Sequence, residues 1–161
     1  DKKGNLASTL ATNNKRKVIN KTSYSYDEKN RLIDEIAYEG DSILEKIHLD
    51  YLDGNKSKVV KSNAKGEILS ERIDTKNKNG QFISSEDFDK DHKIVKKSIT
   101  NYDKAGNKTL RQIFGADGKE ETYNHMKYKY TYDQQGNWTE KTEYLYNGNS
   151  LDVTKRVITY Y

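Results

Sequence analysis

The residues best matched by type and spacing to a chemical task lie in DFDKDHKIVKKS, Asp87 to Ser98. Asp87, Asp89 and Asp91 take positions 1, 3 and 5 of a calcium-loop pattern, and Ile94 takes position 8. His92 stands at position 6, where the sharp bend requires glycine, and Ser98 at position 12, where a bidentate Glu completes the shell. The stretch therefore reads as a polar hairpin tip, and no metal is expected. The histidines His48, His92 and His125 are scattered, with no zinc-ligand spacing and no nucleophile–base pairing. Cysteine is absent, which excludes thiol catalysis, disulfides and Cys-ligated zinc. Paired carboxylates occur at Asp34/Glu35, Glu86/Asp87 and Glu120/Glu121. Glycoside hydrolysis needs two carboxylates facing one another in a cleft, one with a raised pKa. On strands, such residues are more simply cross-strand partners of lysines. The expectation is a chain without catalytic residues and without cofactor.

Aromatic residues are the one group above background. Tyr123, Tyr128, Tyr130, Tyr132, Trp138, Tyr144 and Tyr146 crowd one stretch of the chain, with Tyr160 and Tyr161 beyond it. Rings on a sheet can stack on sugars or form a protein-docking patch, or they can pack on one another in place of a core. Tyr128, Tyr130, Tyr132, Trp138, Tyr144 and Tyr146 are the candidate ligand or partner surface. The face taken by Trp138 depends on the turn Gln134-Gln135-Gly136-Asn137. A two-residue loop sends Trp138 away from Tyr132, whereas a loop with one bulged residue brings the two together.

What must position these residues is a repeat. Proline is absent, so glycine, Asn and Asp carry the punctuation. Gly40, Gly66 and Gly118 share a ladder of 26 residues whose vacant rung is filled by Asp91-His92. Gly54, Gly80 and Gly106 form a second ladder of 26, and Gly136 follows 30 later, so four residues are inserted after Gly118. A fixed period is the mark of a repeat architecture. Between turns the pattern has period two: Ile43, Ile47, Leu49 and Tyr51 on one face, Lys46, His48 and Asp50 on the other. Asp53-Gly54, Asn79-Gly80, Asp117-Gly118 and Asn147-Gly148 are hairpin signals. The expected fold is all-β: an antiparallel meander of about ten strands built from 26-residue hairpins.

Leu, Ile, Val and Phe make up barely a fifth of the 161 residues, while 29 basic residues face 25 acidic ones and tyrosine occurs 13 times. Low aliphatic content alone suggests disorder, but balanced charge and abundant tyrosine argue for an ordered sheet covered by long polar stems. Apolar pairs follow many turns: Leu32-Ile33, Ile43-Leu44, Val59-Val60, Ile68-Leu69, Phe82-Ile83 and Ile94-Val95. Two readings fit them, a β-bulge after each turn or a single-layer twisted sheet wet on both sides. The single layer is preferred, because a sandwich needs cleaner alternation. The net charge of +4 is spread evenly, so no nucleic-acid partner is expected. No apolar run approaches the length of a membrane span.

Tyr102-Asp103-Lys104-Ala105-Gly106-Asn107, Tyr132 to Asn137 and, less closely, Tyr26 to Arg31 resemble the YD repeats of Rhs-type proteins, whose core is Y-D-x-x-G-R/N. The texture is also similar to small secreted β-repeat proteins of Bacteroidota. The resemblance implies an extracytoplasmic antiparallel β-repeat structure, periplasmic, outer-surface or secreted. Asp1-Lys2-Lys3-Gly4-Asn5 matches the motif without its Tyr, so residues 1–17 are expected to be a truncated, loosely held repeat and residues 18–161 the β-repeat domain. The expected function is a non-catalytic structural or binding module whose partner is a protein or glycan at the cell surface. The alternative is a carbohydrate-binding module using the Tyr/Trp cluster of residues 123–146. Val153 to Tyr161, VTKRVITYY, has strong β-propensity guarded only by Lys155 and Arg156, and self-association through that C-terminal edge is a further expectation.

Overall fold

A computed structural model describes residues 1–15 and 17–160. Arg16, in the N-terminal segment, and Tyr161, at the end of the C-terminal edge, lie outside the described residues. The strands are β1 (Ser8–Thr12), β2 (Val18–Tyr26), β3 (Leu32–Glu39), β4 (Ser42–Leu52), β5 (Lys56–Asn63), β6 (Ile68–Lys76), β7 (Phe82–Phe88), β8 (Ile94–Tyr102), β9 (Lys108–Gly115), β10 (Met126–Tyr132), β11 (Trp138–Leu145) and β12 (Ser150–Lys155). They form one antiparallel sheet in chain order, twelve strands against an expectation of about ten. At about 4.8 Å per strand the sheet is about 53 Å long.

The turns explain the repeat. In Asp27-Glu28-Lys29-Asn30-Arg31, the Asp27 amide donates to the Arg31 carbonyl (2.9 Å) and the Asn30 amide donates to the Asp27 carbonyl (3.1 Å). The Asp27 carboxylate accepts the backbone N–H of Lys29 and of Arg31, both at 2.9 Å. Asn30 has φ +64°. This is a type I turn closed by a residue in the left-handed region. The same loop, one residue longer than the tightest hairpin, opens at Asp1, Asn63, Asn77, Asp89, Asp103 and Asp133, and the Asn13 side chain likewise accepts the backbone N–H of Lys15 and of Lys17. The left-handed position carries Gly at 4, 66, 80, 106 and 136, and His92 at φ +61° fills the vacant rung. His92 has local support for that conformation. Its ring stacks on Phe88 (5.1 Å, 16°), and its Nδ1 lies 3.3 Å from Oε1 of the buried Glu71.

Bulge and single layer prove to be compatible. Register slips by one residue at Tyr26↔Leu32, Tyr38↔Ile43, Ser62↔Ile68, Lys76↔Phe82 and Phe88↔Ile94, so these apolar pairs do sit at bulges. Val59-Val60 does not, because β4 and β5 pair without a slip. The described strands nevertheless form no second layer: each packs along its length only against its sequence neighbours. Ile113 is the one buried hydrophobic among the described residues. The chain exposes 11,524 Å², whereas a compact chain of 18.7 kDa exposes about 8,300 Å².

Paired residues share a face and successive residues alternate. Front is the face carrying Ile47, Leu49 and Tyr51, and back the face carrying Lys46, His48 and Asp50. Carried strand by strand through the register, this puts every largely exposed aliphatic strand residue on the back: Leu10, Ile19, Leu44, Leu52, Ile68, Leu69, Ile94, Val95, Leu151 and Val153. The exposed strand aromatics Tyr51, Phe82 and Tyr132 are on the front.

Candidate functional site

The front of the sheet carries a row of tyrosine clamps. Each tyrosine ends a strand or follows the last one, and its hydroxyl reaches back to the start of an earlier strand or to an earlier turn. Tyr26 donates to the Leu6 carbonyl (3.0 Å), Tyr51 to Leu32 (3.0 Å) and Tyr102 to Phe82 (2.9 Å). Tyr132 donates to Asp103 Oδ2 (2.9 Å) and accepts from the Asn107 amide (3.0 Å). Tyr160 repeats this on Asp133 and Asn137. The Tyr-Asp motif is thus one turn cap plus one clamp, set on the Asp103 cap by Tyr132 and on a backbone carbonyl by Tyr26 and Tyr102. Partial desolvation of the phenol, then the bond to Asp103, holds Tyr132 above its ordinary value. The bond to Asp133 does the same for Tyr160.

The fifth residue of the loop works with the cap. Asn107 and Asn5 bond their own Asp side chains at 3.3 and 3.1 Å. Arg31 does so with Nε at 2.7 Å and Nη2 at 2.7 Å, and its guanidinium lies 3.9 Å from the centre of the Tyr51 ring. Asn and Arg here are two solutions to one task.

The candidate surface divides. Tyr132 pairs with Trp138, so the loop carries the bulged residue and Trp138 shares the front with Tyr132. Tyr130 meets Tyr132 at 6.2 Å and Trp138 edge-on at 6.2 Å. Tyr128 continues the row, opposite Glu143. Tyr144 lies on the back, opposite Lys127 and under the Lys129 ammonium at 5.2 Å. Tyr146 pairs edge-on with Tyr123 at 4.8 Å, beyond the end of β11. The Trp138 ring is partly used within the chain: the Arg156 guanidinium lies 4.0 Å from its centre and donates to the Trp138 carbonyl. In the sequence Arg156 reads only as a guard against edge pairing. The signal that points to its second role is a basic residue just past the last strand, with an aromatic at the bulge position of the strand before.

The front row also crosses the weakest joint of the sheet. β9 and β10 pair only through Met126↔Arg111 and Lys127↔Leu110. Beyond these pairs, Tyr132 reaches over to the Asp103 turn. At the other end of the joint, the longer connection after Gly118 contains a three-residue 3₁₀ turn, Thr122–Asn124. Around this turn the Glu121 amide (2.8 Å) and the His125 ring (3.4 Å) both approach the Ile113 carbonyl, so the insertion covers Ile113.

The remaining candidates have structural partners. Asp89 caps its own turn through the backbone N–H of Asp91 and Lys93. Asp34 and Glu35 point to opposite faces, Asp34 binding His48 (2.6 Å) and Ser25 (2.7 Å). Glu86 pairs with Lys97 (2.7 Å), and Glu120 binds Gln112 (2.6 Å). No group of three His, Asp or Glu converges as a metal site among the described residues. None of their helices is long and apolar enough to cross a membrane.

No family model and no curated protein sequence matches the chain. Among solved structures, a porin-like protein from Bacteroides uniformis is 12% identical, with TM-score 0.42 over 85% of this chain and 90% of its own. S. aureus TarM, in complex with Fondaparinux, alpha-GlcNAc-glycerol and UDP, is 12% identical with TM-score 0.29, over 80% of this chain and 20% of its own. The Photorhabdus luminescens Tc holotoxin pore is 10% identical with TM-score 0.20, over 92% of this chain and 10% of its own. The chain thus spans only a small part of the last two.

Proposed function

We propose that the chain is a non-catalytic, extracytoplasmic structural and binding module of YD-repeat type. One observation carries this reading: the fold buries almost nothing of its own and presents about 3,200 Å² more surface than a compact chain of its mass. Catalysis needs a dry, shaped cleft in which pKa values are shifted. Here the carboxylates are spent on turn caps and cross-strand pairs, while the clamps hold an extended surface in shape. The extracytoplasmic location follows from the resemblance of Tyr102–Asn107 and Tyr132–Asn137 to YD repeats. Fractionation of the source cells tests it, and a purely cytoplasmic pool overturns it.

A second reading, a carbohydrate-binding module, is favoured by Tyr130, Tyr132 and Trp138 lying together on the front. Glycan-array binding separates the two. A signal lost in Trp138→Ala with the circular dichroism unchanged selects the glycan reading. No signal at about millimolar ligand, a ΔG of about −4 kcal/mol, leaves the structural module with a protein partner.

A further inference from the structure

Resting on the binding-module reading, we infer that the back face is the contact between two copies of this chain, centred on the aliphatic ribbon that follows the turns at Gly40, Gly66 and His92. Leu44 is 50% exposed, Ile68 and Leu69 are 47% and 49%, and Ile94 and Val95 are 43% and 44%. Each belongs to a bulge pair at the start of an even-numbered strand, where the slipped register crowds two apolar side chains beside the turn. The pairs recur every two strands, about 9.6 Å apart. The front spends its exposed aromatics on clamps and cation contacts, but none of the described residues covers this ribbon. Exposed apolar pairs repeated along one face mark an interaction site.

Three observations select a second copy as the occupant. The first is period. A partner must present apolar side chains at the same spacing, and a copy of the chain does so. With a two-fold axis through Ile68-Leu69, Leu44 of one copy falls beside Val95 of the other, and the reverse contact forms by symmetry. The second is area. If each copy covers half of its surplus surface, the interface totals about 3,200 Å², within the range of permanent homodimers. The third is charge. Back-face Lys58 pairs with Glu71 (2.8 Å) and Lys97 with Glu86 (2.7 Å), which among the described residues leaves Lys46, opposite Ser62, as a lone lysine beside the ribbon. One lysine beside five exposed aliphatic side chains favours an apolar partner over an anionic lipid or a nucleic acid.

The test is sedimentation of the intact chain up to about 100 µM, where a Kd of about 1 µM leaves most of it dimeric. The wild type is expected to dimerise. Ile68→Lys/Leu69→Lys, placed at half-exposed positions the fold tolerates, is expected to raise Kd at least ten-fold with unchanged circular dichroism. Thr9→Lys, on the front of β1, is expected to leave Kd unchanged. A monomer at every concentration overturns the inference, and so does a dimer that the double variant leaves intact. Either failure leaves the binding-module reading to its own fractionation and glycan tests.

Discussion

Truncating Ile113 to Ala is the sharpest test of the single layer. Ile113 is 2% exposed, beneath the 3₁₀ turn and between β8 and the start of β10. Full burial of such a side chain is worth about 1.5–3 kcal/mol in transfer alone. The cavity left behind brings the loss for Ile113→Ala to about 3 kcal/mol. Leu52 is 44% exposed and Leu10 is 58% exposed, both outside the central ribbon. Removing about three carbon groups that are half in water costs about 1 kcal/mol, and water fills the space without a cavity penalty. The assay is urea unfolding followed by circular dichroism in dilute solution. In a linear array each strand is held by its neighbours, so Ile113→Ala is also expected to lower the denaturant slope as the β8–β10 region loosens on its own. If Leu52→Ala or Leu10→Ala cost as much as Ile113→Ala, a second layer must cover the back of the sheet in the monomer. That outcome would refute the open, single-layer fold.

Tyr132→Phe keeps the ring but loses the clamp on Asp103. It is expected to cost about 0.5–1.5 kcal/mol, whereas Tyr24→Phe, whose hydroxyl bonds to none of the described residues, is expected to be neutral. The bond to Asp34, then that to Asp50, raises His48 from its ordinary value of 6.5. Its stabilising contribution is therefore full below about pH 6.5 and lost as pH rises through the higher folded value. Accordingly His48→Gln should lower Tm near pH 5.5 and leave it unchanged near pH 9, and an equal loss at both would sink the ion-pair account. Amides of β1, whose residues are all exposed and which pairs only with β2, should exchange faster than those of Lys127–Tyr132. Equal protection would refute the reading of a loosely held N-terminal segment. On the outer strand, the Arg156 amide bonds inward to Thr139 (3.0 Å), so the Val157 amide faces outward. If β12 adds strands from other chains, Val157→Pro should abolish that association in sedimentation at little cost to the fold.

What is legible in the sequence is whatever recurs within a few residues. Each Asp-x-x-Gly-Asn loop closes its hydrogen bonds on itself, so its signature survives in any context. The vacant rung at His92 shows in the spacing alone, although His is an uncommon left-handed residue. Strand faces are legible for the same reason, because alternation from Ile47 to Tyr51 needs no knowledge of neighbouring strands, whereas Ile43, expected on that same face, pairs with Tyr38 beyond the register slip and falls on the back. The bulges show as apolar pairs, but in sequence they stand as rivals to the single layer. The two answer different questions: a bulge concerns how two neighbouring strands align, and a layer concerns what covers their faces.

The joint between β9 and β10 is not legible, since nothing in Lys108–Gly115 or Met126–Tyr132 states how many residues they share. The four inserted residues after Gly118 can be counted in sequence, yet their effect depends on where they fall in space. Among the described residues they make the one turn that packs back onto a strand, and so they create the one buried aliphatic side chain. The aromatic cluster begins within that turn, at Tyr123, and runs on along β10. Where backbone pairing ends, Tyr128, Tyr130 and Tyr132 line the open joint and Tyr132 fastens to the previous cap. The density of rings in the sequence therefore coincides with a missing ladder, and a stretch that reads as a binding platform also serves as a weld.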